Sequence, residues 1–105
     1  MTDGTGGLSD AVVRRWGLVV ESTSGSGDGK RWSASVLGEI EGTREQALCE
    51  LELQARAFSP THPRMPRRTR LYRQDDGFLL LTDGQFETFL TRFSLAELIE
   101  DSAAR

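Results

Sequence analysis

The sequence predicts an α+β domain of order ββαβββα: a mainly antiparallel five-stranded sheet with one long helix on a face and a short C-terminal helix at an end or edge. Three observations carry that expectation. The segment from Thr43 to Phe58, TREQALCELELQARAF, has a helical apolar period. Two stretches before it alternate apolar and polar side chains, as half-buried strands do. After it, Asp75-Asp76-Gly77 and Asp83-Gly84 divide an apolar region at hairpin spacing.

The helix is the best specified element. Thr43 and Gln46 form a capping box, in which the threonine hydroxyl accepts from the Gln46 amide and the glutamine side chain accepts from the Thr43 amide. Ala47, Leu48, Leu51, Ala55 and Phe58 then recur along one side and form a stripe that faces a core. Ser59, Pro60 and Pro63 end the helix, because proline lacks the amide and disfavours a helical residue before it. A second row, Cys49, Leu53 and Ala57, lies away from the stripe. Its plain reading is a tolerated surface leucine; its sharper one is a self-association face.

In chain order, residues 1–14 are glycine-rich and expected to be a disordered tail, and 15–102 form one domain. The first strand runs from Trp16 to Thr23, with Trp16, Leu18 and Val20 on one face. Ser24 to Lys30 is a glycine-rich connection to the second strand, Arg31 to Glu41. There Trp32, Ala34, Val36 and Ile40 read as the inner face, interrupted by Gly38, which suggests a bulge or the close crossing of the helix. Past the helix, the proline-rich loop SPTHPRMPRR leads to strands at Thr69 to Gln74, Phe78 to Thr82 and Gln85 to Phe93. The run FLLLT, apolar at consecutive positions, reads as a central strand covered on both faces. Ser94 and Glu97 repeat the capping-box pattern before SLAELIEDS, the expected C-terminal helix from 94 to 102. The expected core is Trp32, Val36, Ile40, Leu48, Leu51, Phe58, Leu80 and Phe93.

Composition narrows function by exclusion. With 105 residues the chain has room for one modest core, and a formal net charge of -3 does not suit a strongly basic nucleic-acid binder. A single cysteine rules out an internal disulfide, and one cysteine with one histidine cannot complete a zinc set within the chain. The first fifteen residues fit neither a secretory signal nor a membrane span. A reducing cytoplasm fits this usage, with no cofactor and no membrane contact expected.

Three features invite chemistry, and each has a plainer account. GSGDGK resembles a phosphate loop, but Ser24 stands where the first glycine is needed and Arg31 where Ser or Thr is needed, and no helix follows. Cys49 and His62 would form a catalytic dyad only if the proline loop folded back over the helix. Asp75 and Asp76 suit a tight turn better than an acid/base pair. No catalytic residue is assigned and no enzymatic activity is expected.

The remaining anomaly is RMPRRTRLYR, which gathers Arg64, Arg67, Arg68, Arg70, Tyr72 and Arg73 in an otherwise acidic chain. On an extended strand Arg68, Arg70 and Tyr72 share a face, as a site for phosphates and a stacked base requires. A charged strand edge, or arginines paired with this chain's own carboxylates, has the same sequence signature and is favoured; an acidic protein partner ranks next and nucleic acid last.

WGLVVES, GTREQAL, RRTRLYRQDDGFLLLTDG and RFSLAEL, spanning about Trp16 to Asp101, resemble a group of small uncharacterised proteins from high-GC actinobacteria. The resemblance implies a bacterial cytoplasm and no particular activity. The expected function is a non-catalytic protein-interaction module of unknown partner. Nucleic-acid binding through residues 64–73 is the alternative, and a small-molecule site between sheet and helix a second one. A homodimer is expected, because Cys49, Leu53 and Ala57, the outward Val19 and Leu37, and FLLLT exceed what one helix can cover. In the competing account the C-terminal helix covers the second face within one chain.

Overall fold

Five β-strands and the helix between the second and third make up the ordered framework in a computed structural model that describes residues 11–24, 31–60 and 65–103. The tail from 1 to 10, the glycine connection from 25 to 30, His62 and Arg64 lie outside the described residues. The strands are β1 (Arg14–Ser24), β2 (Arg31–Gly42), β3 (Arg68–Gln74), β4 (Gly77–Asp83) and β5 (Thr88–Glu97), and the helix is α1 (Arg44–Ala57). They form one sheet in the order β2-β1-β5-β4-β3. Every pairing in it is antiparallel. Arg14, assigned to the tail from sequence, already belongs to β1, and its guanidinium meets Glu97 at 3.2 Å.

This order puts β2 at one edge and β3 at the other, so α1 carries the chain across one face of the sheet. Thr43 caps it as expected: its hydroxyl accepts from the Gln46 amide at 3.1 Å, and Gln46 Oε1 accepts from the Thr43 amide at 2.8 Å. Ala47, Leu51 and Ala55 are buried. Leu51 and Ala55 join one core cluster with Leu18 and Val20 of β1, Phe78 and Leu80 of β4 and Phe93 of β5, with Ile40, Leu48, Phe58, Leu71 and Leu95 packed around them. Phe58 meets the Phe93 ring edge to face at 5.2 Å. Trp16 closes the core near the start of α1, its indole N–H donating to the Gly42 carbonyl at 3.1 Å.

The expected C-terminal helix does not form. Ser94 to Glu97 continue β5 instead, pairing along β1 from Trp16↔Glu97 to Leu18↔Leu95. The local helix signal there is weak against a ladder of backbone hydrogen bonds that also sets Leu95 against the core. β5 is therefore the central strand, in place of β4, and it begins at Thr88 after a loop whose Gly84 amide donates to the Glu87 carbonyl. Ile99, expected to pack, is exposed.

The second correction concerns β2. Leu18 pairs with Gly38 but Val19 pairs with Val36, so Leu37 is an extra residue in the edge strand. A bulge of one residue transfers all that precedes it to the opposite face. Ile40 stays on the helix side, whereas Trp32, Ala34 and Val36 turn away from it. Trp32 and Val36, expected in the core, are 51% and 59% exposed.

Candidate interaction surface

The face of the sheet away from α1 has no cover among the described residues. Registers across all five strands place Ala34, Glu21, Arg92, Leu79 and Tyr72 in one row. On one side of it lie Val36 and Val19, and on the other Leu90, Leu81 and Arg70, with Trp32 beside Thr23 at the β2 end. Val19, Leu79, Leu81 and Leu90 are half-buried by their neighbours, while Trp32, Val36 and Tyr72 stand clear of the surface. The Arg92 guanidinium lies over the Trp32 ring at 5.4 Å and comes within 4.0 Å of Glu21. Antiparallel sheets often leave one face to water, but such faces are usually polar; here the strands supply an apolar ground crossed by paired charges.

The arginine-rich segment is divided between the two faces. Arg70, on the open face, donates from one nitrogen to both oxygens of Asp83 at 3.1 and 3.2 Å, and Thr88 donates to the same carboxylate at 2.8 Å. Arg73 points to the helix side and reaches Glu52 at 3.3 Å, where Arg56 also donates at 2.7 and 2.9 Å. The hydrogen bonds from Arg56 hold the Glu52 carboxyl below its ordinary value against the opposing effect of desolvation, with lesser help from the Arg56 charge and from Arg73. Arg67 and Arg68 are exposed and make no ion pair among the described residues, and Tyr72 is 47% exposed beside Arg68 and Arg70. Among the described residues, Arg70 and Arg73 are thus engaged with this chain's own carboxylates, and Arg44 adds a further such link, to Asp76 at 2.6 Å.

Cys49, Leu53 and Ala57 all face solvent on the outer side of α1, with Leu53 61% exposed. Asp75 and Asp76 form the two-residue β3–β4 turn, as expected, and Arg44 ties that turn to the start of the helix. Gly77, just after it, is held against β5 so closely that a Cβ there would collide with the Phe93 carbonyl. The described residues hold no cluster of three or more His, Cys, Asp or Glu arranged for a metal ion. A cleft of about 310 Å³ opens between the end of α1 and β3, lined by Ala55, Arg56, Phe58, Pro60, Thr69, Leu71 and Leu80. No helix among the described residues is long and apolar enough to cross a membrane.

Trp32, Ala34 and Val36 are the β2 residues that simple alternation places on the wrong face. Gly38, breaking the inner row of β2, is the only local sign of the change of face. No family model, curated protein or solved structure matches the chain.

Proposed function

We propose that this chain is a non-catalytic protein-interaction module whose binding surface is the open face of the sheet around Trp32, Val36 and Tyr72. The observation that carries the reading is the bulge at Leu37, which turns a tryptophan and a valine out of the core side and onto a face that already bears Val19, Leu79 and Leu81. Burying such a face against a partner gains roughly 25 cal/mol per Å² of apolar surface. Aromatic anchors of this kind are also what protein interfaces concentrate their energy on.

The arginine segment supports nucleic-acid binding less well, since Arg70 is bound to Asp83 and Arg73 to Glu52 on opposite faces. Among the described residues, the cleft beside Phe58 is small and brings Arg56 and Thr69 as its polar side chains, a poor set for fixing a small ligand.

A photo-crosslinking residue in place of Trp32 tests the reading. On illumination in a bacterial lysate it should give a discrete protein adduct that excess wild-type chain suppresses and a Trp32→Ser/Val36→Ser chain does not. Absence of any adduct at position 32, with the same probe in place of Glu100 equally silent, would overturn it.

A further inference from the structure

The sheet has two edges, and they are not alike. β3, RTRLYRQ, carries Arg68, Arg70 and Arg73, which discourage another strand from adding to it. β2 is protected only toward its ends, by Arg31 on one side and by the bulge at Leu37 with Glu39 and Glu41 on the other. From Trp32 to Gly38 it reads WSASVLG, without charge or proline, and residues 31–37 are all exposed. An edge of this kind presents unpaired backbone donors and acceptors to any strand that can lie alongside.

We propose that the strand that lies alongside is β2 of a second copy, paired antiparallel about a twofold axis at Ala34, so that the two sheets become one. The proposal goes beyond the interaction-module reading, since it joins two β2 edges and leaves the open face itself free for a partner. Its register follows from the strand itself. The regular stretch is bounded by Arg31, where β2 begins, and by the bulged residue Leu37, beyond which the faces exchange. Only a pairing centred on Ala34 uses the whole stretch while keeping open-face residues opposite open-face residues. It sets Trp32 against Val36 of the partner subunit, Ser33 against the partner's Ser35, and Ala34 against the partner's Ala34. Aromatic against β-branched is a favourable cross-strand pair, two serines can exchange a hydrogen bond, and alanine at the axis lets the backbones close. The Trp32–Val36 and Ser33–Ser35 contacts each occur twice by symmetry and the alanine pair once, on the axis, as an isologous interface requires. The Arg92 guanidinium lies over the Trp32 ring at 5.4 Å and favours one placement of it before pairing.

Sedimentation equilibrium of the full chain over a wide concentration range should reveal a reversible dimer. Ala34→Lys, which sets two ammonium groups against each other at the axis on a residue that is exposed in the single chain, should shift the protein to one-chain mass while its circular dichroism stays unchanged. Leu53→Lys, on the outer side of α1, should leave the dimer intact. In a Cys49→Ser background, Ala34→Cys should crosslink through a short bis-maleimide and Leu53→Cys should not, which keeps the test open even if the lysine variant folds poorly. A one-chain mass at every concentration would overturn the proposal, as would a dimer that survives Ala34→Lys or one that Leu53→Lys abolishes. If position 32 crosslinks to other proteins while the chain stays monomeric, the module stands and the self-pairing falls.

Discussion

Leu51 and Thr82 are the most telling single residues, because both are closed to solvent and only one is apolar. Leu51 has no exposed surface and sits where α1 presses on β1, β4 and β5. Leu51→Ala should lower the free energy of unfolding by about 2 to 5 kcal/mol, as read from urea transitions, since the sheet cannot collapse into the space. Thr82 lies on the same face of β4, 1% exposed, and its hydroxyl meets no hydrogen-bond partner among the described residues. A buried hydroxyl without a partner costs about 1 to 3 kcal/mol. Thr82→Val keeps the shape and removes the hydroxyl, so its unfolding midpoint should equal or exceed that of the parent; a clear fall would mean that the hydroxyl is bonded after all. Leu51 is legible from the helical stripe. Thr82 is not, because nothing in FLLLTD distinguishes a buried threonine from one at the strand's wet end.

At the scale of elements, α1 and the hairpins were legible where local chemistry decides the matter: the capping box, the Asp-Asp-Gly turn and the alternation of β1. Where the partner strand decides, the pattern misleads. Ser94 to Glu97 carry a helix-start signal, yet β1 offers them backbone partners and they stay extended. In β2 the alternation Trp32, Ala34, Val36 is real, but a bulge seen only in the pairing with β1 sends it to the other face. The attachment of α1 to the charged edge is a further element-level feature, and Glu52 bridges Arg56 of the helix and Arg73 of β3. Because Glu52 titrates lower in the folded chain than in the unfolded one, its contribution is complete above the ordinary glutamate pKa of about 4.3 and fades as pH falls through the lower folded value. Wild type should therefore be more stable than Glu52→Gln at neutral pH, with the gap closing below about pH 4.3 in denaturant titrations. A gap that stays constant into that acidic range would show that the carboxylate's charge is not what links helix to strand.

For the molecule as a whole, the helix covers one face and leaves the other apolar, and the two faces make opposite demands on mutation. Side chains on the covered face are required for folding; those on the open face need only avoid disrupting the strands. Trp32→Ser with Val36→Ser separates these demands. If both side chains lie outside the core, as their exposure of 51% and 59% indicates, the double variant should unfold within about 1 kcal/mol of the parent, since exposed positions usually contribute about 0.5 kcal/mol or less each. The Arg92 contact with the indole accounts for part of even that small loss. Had the two belonged to the inner row, as simple alternation suggests, removing them together would cost several kcal/mol and abolish cooperative unfolding. The same variant should lose the crosslinking competition described for position 32. Stability kept while binding is lost identifies a surface whose apolar side chains serve a partner, whereas loss of both would return Trp32 and Val36 to the core and leave the open face without a role.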